Sequence, residues 1–445
     1  MENTPQYVAA IDVGTTKIAT LLGKRTETGK VEVVDFTCSN SKGIRRGEVL
    51  NPEEASVVVK ETVASLQNST GIRFSEVFVG VAGQHINIRK SRSFINRQDA
   101  DESISVDDVG KLKADMSNIP LEEGKKIIHI LPRDYVVDGE PNIANPVGMI
   151  GKRLEGNFNI VVGSSDSLKR VEKCIRQAGL TIREIILEPL ASSDAVLYDE
   201  EREAGVALVD IGGGTTDIAV FCDNVLVHSA VIPFGGNVIT KDVKDACGLS
   251  EQVAEEVKVQ FGMALANEAD ENKVIVIPAK IPGREAKEIS FRNLANIIQA
   301  RMEEIIDAIL FHIENSGCAD KLGSGIVITG GGSMLAHLKQ LFHYRTGREV
   351  RIGLPGEHLA GDTENINEPR FATGVGLLMK GFAHIDEHQW SMHTEPVRQQ
   401  PVENVEPENR NPETPATSAY PGKGFFERIR KELIGYFEDE PKSSM

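Results

Sequence analysis

The chain carries one pattern of apolar and polar positions twice. Residues 7–23 read Tyr-Val-Ala-Ala-Ile-Asp12-Val-Gly14-Thr15-Thr16-Lys17, then Ile-Ala-Thr-Leu-Leu-Gly. Residues 206–221 read Val-Ala-Leu-Val-Asp210-Ile-Gly212-Gly213-Gly214-Thr215-Thr216-Asp217-Ile-Ala-Val-Phe. Each is an apolar run, an aspartate, a Gly/Thr-rich turn and a second apolar run, which predicts two strands joined by a tight turn. The two aspartates lie 198 residues apart, and self-similarity at that separation predicts two like domains.

Elsewhere the spacing predicts helices alternating with strands. Apolar residues at helical intervals over 52–70, opened by Pro52-Glu53-Glu54, predict a helix ahead of a strand at 77–82. The same reading gives two amphipathic helices, 250–268 and 291–316, ahead of a strand at 325–329. The fold class is therefore α/β, with sheets flanked by helices. Residues 83–160 interrupt the first half. An acidic stretch at 99–102, a helical pattern near 105–118 and apolar runs at 126–131 and 157–162 predict an inserted α+β subdomain.

Past Phe382 the periodicity fades. Residues 391–422 hold six prolines, many Glu, Asn and Thr and almost no large apolar side chain, so they read as a disordered linker that cannot bury enough surface to fold. A basic, aromatic stretch follows it. On a helix turning about 100° per residue, Phe425, Phe426, Ile429, Leu433, Tyr436 and Phe437 fall within roughly 120° of arc. Arg428 and Arg430 flank that face. A segment of this kind suits a membrane interface, with its basic residues near anionic headgroups; docking on the protein's own body or on a partner is the other reading.

Composition narrows the function. The 445 residues are 40% hydrophobic, enough for two to four folding units. A formal charge of −17 argues against a general binder of nucleic acid. No run approaches ~18 consecutive apolar residues and the first residues do not resemble a signal peptide, so a cytosolic, non-spanning chain is expected. Cys38, Cys174, Cys222, Cys247 and Cys318 have no C-x-x-C spacing and read as free thiols. The closest histidines, His384, His388 and His393, have no metal-ligand spacing and read as solvated.

The Gly/Thr turns carry the candidate chemistry. A turn without β-carbons lets backbone N–H groups and hydroxyls approach a phosphate closely. Two such turns, one per domain, would clamp a polyphosphate between them. Asp12 and Asp210 could hold Mg²⁺ through water, with Lys17 offsetting charge. Taken singly, each turn is equally a tight hairpin. A third cluster, Gly330-Gly331-Gly332-Ser333, follows a strand and opens a helical pattern at 335–338, where a flat base could lie against backbone. Glu255 and Lys258, three apart on a helix, could reach a ribose or base edge, or simply pair with each other in solvent.

In this order the motifs resemble the actin, sugar-kinase and heat-shock-chaperone superfamily of two-lobed ATP-binding proteins. Residues 186–192, Ile-Leu-Glu188-Pro-Leu-Ala-Ser, and 372–378, Ala-Thr-Gly-Val-Gly-Leu-Leu, resemble its two connecting helices. Within it, four stretches are similar to the FtsA family of bacterial division proteins: 42–49 (Lys-Gly-Ile-Arg-Arg-Gly-Glu-Val), 79–86 (Val-Gly-Val-Ala-Gly-Gln-His-Ile), 145–151 (Asn-Pro-Val-Gly-Met-Ile-Gly) and 234–240 (Phe-Gly235-Gly236-Asn-Val-Ile-Thr).

The resemblance implies an actin-like two-lobed fold. Its first lobe spans 1–82 and 161–200, and 83–160 is an inserted self-association subdomain. Its second lobe spans 201–228 and 300–385, with a small subdomain at 229–299 on the adenosine side. A linker at 386–422 and a membrane helix at 423–439 complete it. It further implies ATP and Mg²⁺ as cofactors, filament formation, and docking of the C-terminal peptide of FtsZ, the tubulin-like ring protein, on 229–299. Anchoring to the cytoplasmic face of the cell membrane at the division site and recruitment of later division proteins follow from it too. Glu188 stands where the chaperone branch carries a water-orienting carboxylate, so slow ATP hydrolysis is a further expectation. A pilus-assembly relative or a small-molecule kinase is the alternative.

Overall fold

The computed structural model describes residues 6–98, 101–278, 285–361, 363–388 and 394–396. The predicted membrane helix, with Phe425, Phe426, Arg428, Ile429, Arg430, Leu433, Tyr436 and Phe437, lies outside the described residues.

The repeat seen in sequence is a repeat of topology. In the first lobe, strands Tyr7–Val13, Lys17–Arg25 and Val31–Asn40 run antiparallel in chain order. Strand Glu76–Val81 then joins Tyr7–Val13 in parallel, and Thr181–Leu187 extends the sheet beyond it. The second lobe repeats this with Val206–Ile211, Thr216–Cys222 and Val225–Ile232, then Ile326–Thr329 and Val350–Ile352. In both lobes the first two strands are almost wholly buried, which is why they read as continuous apolar runs. Parallel pairing needs a crossover, supplied by helix Pro52–Thr70 in one lobe and by Phe291–Asn315 in the other.

Helix Pro52–Thr70 starts where expected, capped by the Asn51 side chain with Pro52 in its first turn, and stops at Gly71 in the left-handed conformation. Two further helices, Glu188–Val196 and Ala372–His388, cross between the lobes. They approach so closely that a Cβ on Gly376 would collide with the Ala191 carbonyl. The insertion folds as a four-stranded antiparallel sheet, with Asn87–Asn96 and Lys125–Val137 on either side of Arg153–Ser164. Helix Val106–Met116 packs Leu112 and Met116 into that sheet's own small core.

Some local expectations change. The helix expected over 250–268 ends at Phe261, and a separate 3₁₀ turn follows at Ala266–Glu268. Gly262 sits where any side chain would strike the Lys258 carbonyl, and Ala264 donates its N–H to Ala336 at 2.8 Å, which draws the chain off the helix axis. The glycines 330–332 do not open a helix directly. They form a 3₁₀ turn, Gly331–Met334, and helix Leu338–Thr346 starts only after His337, whose φ of 62° breaks helical continuity. Within the expected linker, Thr394–Pro396 pairs antiparallel with the edge strand Ile72–Phe74, where a proline is tolerated because an edge leaves N–H groups unpaired. His384 is not solvated. It packs on Phe78 and pairs with Glu184 at 3.0 Å, because its helix lies over the first-lobe sheet. All five cysteines are free.

Candidate functional site

The first turn, Gly14-Thr15-Thr16, joins two buried strands, and its backbone is held by Ser41, whose hydroxyl donates to the Gly14 carbonyl at 2.6 Å. The second turn closes tightly, Gly212 N–H to Thr215 carbonyl at 2.9 Å. It is braced by the start of helix Gly236–Cys247: the N–H groups of Gly236 and Asn237 donate to the carbonyls of Gly212 and Gly213 at 2.9 and 2.8 Å. A Cβ on Gly235 would press on the Thr215 carbonyl at 2.7 Å, so the close approach requires glycine there. Thr216 adds a bond to the Phe234 carbonyl at 3.0 Å.

The two turns face each other. A Cβ on Gly213 would strike Thr16, and one on Gly214 would strike Thr15. Thr16 also reaches Asn237 across the gap at 3.4 Å. Lys17 turns to donate to the Arg370 carbonyl at 2.5 Å and lies 4.4 Å from the centre of the Phe371 ring. That contact ties the first turn to the segment leading into helix Ala372–His388.

Beside the turns lies a cluster of carboxyls, Asp12 and Asp217 buried and Asp210 and Glu188 half-buried. Asp210 and Asp217 sit directly opposite each other in the second hairpin, so their side chains share one face. The equivalent position in the first hairpin, opposite Asp12, is Ala19. Asp210 accepts hydrogen bonds from Ser192 at 2.7 Å and Thr373 at 3.2 Å, one from each connecting helix. Asp217 accepts from Thr215 at 3.0 Å, and its other oxygen is buried without a partner among the described residues. Glu188 begins the first connecting helix and lies against Gly80, where a Cβ would come within 3.0 Å of its Cγ.

These carboxyls are hard to ionise together. Burial, and after it the neighbouring Asp210, pushes Asp217 up to about 8. Burial raises Asp12 to about 6, with Lys17 pulling it down and Asp210 pushing it up. Asp210 is raised by burial and partly relieved by Ser192, Thr373 and Lys17. Glu188 stands well above the usual carboxylate range, through burial first and then Asp12, Asp217 and Asp210. Such a cluster stores a demand for positive charge. No three His, Cys, Asp or Glu side chains among the described residues converge as a direct metal cage.

The remaining predicted residues line the second lobe. Gly330, with φ of 82°, passes so close to Asp210 and the Ile211 carbonyl that a Cβ would overlap them, and Gly332 lies against Ile211. Gly331 is nearest Arg370, and the Ser333 hydroxyl donates back to the Gly330 carbonyl at 2.8 Å. Glu255 and Lys258 pair at 2.7 Å, and Lys258 also donates to the Gly236 carbonyl at 3.1 Å and to Thr240 at 2.8 Å. They brace the helix start beside the second turn. Sequence reasoning missed Asp217, Ser192 and Thr373. Asp217 had a signal, since it is the one charged residue inside an otherwise apolar strand. The two hydroxyls had none, because only the helix crossing brings them to Asp210.

A family model described as "Cell division protein FtsA" matches residues 207–376, and one described as "SHS2 domain inserted in FTSA" matches 83–162. Cell division protein FtsA of Pseudomonas aeruginosa is 34% identical over 376 residues, covering 84% of this chain and 89% of that protein. The Escherichia coli K12 protein of the same name is 30% identical over 387 residues, covering 84% and 90%. Among solved structures, the PilM-PilN type IV pilus biogenesis complex matches with a TM-score of 0.60 at 15% identity, over 84% of this chain and 98% of that one. MreB 5 of Spiroplasma citri bound to AMPPNP matches with a TM-score of 0.51 at 14% identity, over 86% and 99%. Those structural likenesses establish an actin-like fold and nothing finer. With sequence identity sustained over most of its length, the chain belongs to the FtsA family of bacterial cell division proteins.

Proposed function

We propose that the protein binds ATP with Mg²⁺ between its two glycine turns, polymerises through its body, and anchors the FtsZ ring to the cytoplasmic membrane, helping to recruit later division proteins. The observation that carries the nucleotide reading is the pair of opposed turns beside four carboxyls, Asp12 and Asp217 buried and Asp210 and Glu188 half-buried, with one Asp217 oxygen unpartnered among the described residues. The residues fit a hydrated divalent cation: Asp12 and Asp210 stand near the ends of the strands that lead into the two turns, and bound Mg²⁺ would supply the positive charge the cluster lacks. Gly14 to Lys17 and Gly212 to Thr216 then hold the phosphates. Gly235, Gly236, Glu255, Lys258 and Gly330 to Ser333 form the adenosine side, a role the family resemblance implies.

Hydrolysis is slow in this reading. Glu188 is the carboxyl we assign to order a water; burial first, and then its acidic neighbours, push it well above the usual carboxylate range, and a bound cation would oppose that shift. The subdomain at 229–299 takes the FtsZ C-terminal peptide, the insertion carries self-association, and the terminal helix lies in an anionic membrane surface. Among the described residues no helix is long and apolar enough to cross a membrane.

Thermal unfolding with and without Mg²⁺-ATP tests the nucleotide site. At a hundredfold excess over Kd the ligand adds about 2.7 kcal/mol of stability. Gly213→Val, whose side chain would push against Thr16 and hold the turns apart, should lose that gain. An equal gain in both proteins overturns the assignment.

A further inference from the structure

The stretches 42–49 and 79–86 meet at the base of the insertion. Gly47 donates its N–H to the Thr15 hydroxyl in the first turn at 2.8 Å. The next residue, Glu48, faces away from the turn and grips the root of the insertion. One carboxylate oxygen pairs with His85 Nδ1 at 3.0 Å, and the other accepts from Arg170 at 3.1 Å and Ser167 at 3.3 Å. Arg170 in turn donates to the Val49 carbonyl at 2.7 Å, which closes the clamp on the loop.

His85 stands where the insertion enters and leaves the first lobe. A side chain on Gly83, at the entry, would press against its ring, and one on Gly163, at the exit, would lie in van der Waals contact with it. Gly83 has φ of 141°, a conformation left to glycine, so the entry strand bends there. Beyond this root the insertion meets the lobe at separate points: His129 accepts the Leu187 N–H at 3.0 Å and Lys126 pairs with Glu172 at 3.3 Å, around an open cleft of about 450 Å³ lined by Lys126, Ile128, Leu168, Arg176 and Ile182. That cleft leaves room for the insertion to change its seating.

We propose that Glu48 and His85 couple occupancy of the first glycine turn to the seating of the insertion, through Thr15 and Gly47. The Thr15 hydroxyl has one proton to donate and accepts from Gly47 with its oxygen, so a phosphate that takes the proton fixes the hydroxyl and orders the loop. Ordering the loop seats Glu48 on His85 and Arg170. The coupling rests on the nucleotide reading above. Thermodynamics makes it reciprocal, so an insertion that is properly seated also tightens nucleotide binding.

Hydrogen exchange on the full-length protein, with and without Mg²⁺-ATP and at two protein concentrations tenfold apart, tests it. In the wild type, ATP should slow exchange in the turns at 14–17 and 212–216 and, by about tenfold, in the root and first strand at 85–96. Glu48→Ala and His85→Ala should keep protection of the turns but lose it at 85–96. The double variant should be no worse than Glu48→Ala, because that substitution already removes the contact with His85. Glu48→Gln, which keeps the hydrogen bonds, should retain most of the response. Protection at 85–96 that survives Glu48→Ala, or that grows with protein concentration and so reports assembly, overturns the coupling. Protection of neither turn overturns the nucleotide reading, and the coupling falls with it.

Discussion

Asp210 and Asp217 face each other across a two-stranded hairpin, and that single register decides much of the site's electrostatics. Because burial raises Asp217 to about 8 in the fold against an ordinary value of 3.8, the native state holds a proton that the unfolded chain has released. Stability therefore falls as pH rises through that window. His129 acts in the opposite sense. Its half-buried ring, lowered to about 4 by desolvation, accepts the Leu187 N–H at 3.0 Å, so stability is lost as pH falls from about 6.5 toward 4. Well above pH 6.5 His129, and with it His228 and His312, whose rings burial also lowers, are neutral in both states, so the slope toward pH 8 reflects chiefly the raised carboxyls. Asp217→Asn, whose amide oxygen can still accept from Thr215, should flatten that slope and raise the melting temperature of the ligand-free protein at pH 8. Calorimetric melts across pH 6.5–8 check this. A slope unchanged in the variant places the proton elsewhere. Mg²⁺-ATP should flatten the wild-type slope too, since a cation favours the ionised acids.

At the scale of elements, the crossing of helices Glu188–Val196 and Ala372–His388 joins the lobes and organises the acids. The Gly376 backbone touches the Ala191 carbonyl, so Gly376→Ala should force the helices apart and cost about 1–3 kcal/mol, as overpacking does. Ser192 and Thr373 ride on those helices to the same Asp210 oxygen, and they also touch each other at 3.0 Å. The same substitution should therefore weaken the ATP-induced thermal shift as well as basal stability. A chemical denaturation curve and a shift assay read the two effects separately, and an intact shift in a destabilised variant would confine the crossing to a structural role. The helices themselves were legible as patterns. Pro52–Thr70 and Phe291–Asn315 appear nearly as the apolar spacing predicts. The helix expected to 268 stops early because the Gly262 backbone packs where a side chain cannot, and periodicity does not register such a contact.

For the whole molecule, the predictions concern assembly and attachment. A head-to-tail contact between like bodies propagates into a filament. Deleting 83–160 should abolish ATP-dependent filaments in electron micrographs while sparing binding of an FtsZ C-terminal peptide. Filaments that persist would remove the insertion from that role. The tail obeys a different balance. Six apolar side chains contribute roughly 1.5–3 kcal/mol each on burial, against on the order of 1 kcal/mol for each residue ordered into a helix. If the tail is the anchor, a single tail should bind reversibly and a filament carrying many should bind firmly, because each later contact forms at high effective concentration. Phe426→Glu should leave ATP binding intact and keep the protein in the supernatant of anionic vesicles. Undiminished pelleting would rule out the tail as anchor.

The sequence alone determined the lobes and their order, because a strand buried on both faces must be apolar along its length, and a turn that brings backbone up to a ligand must be rich in glycine. Both demands are local, and the echo between 7–23 and 206–221 shows them twice. Tertiary structure decided what those turns rest on. Asp217 joins Asp210 through strand register, Ser192 and Thr373 reach it through a helix crossing, and Glu48 meets His85 through the folding back of a loop. Apart from the hairpin pair, each of these contacts joins segments whose separation along the chain carries no periodic signal. They form because buried charge must find partners wherever the packing of apolar faces has placed them.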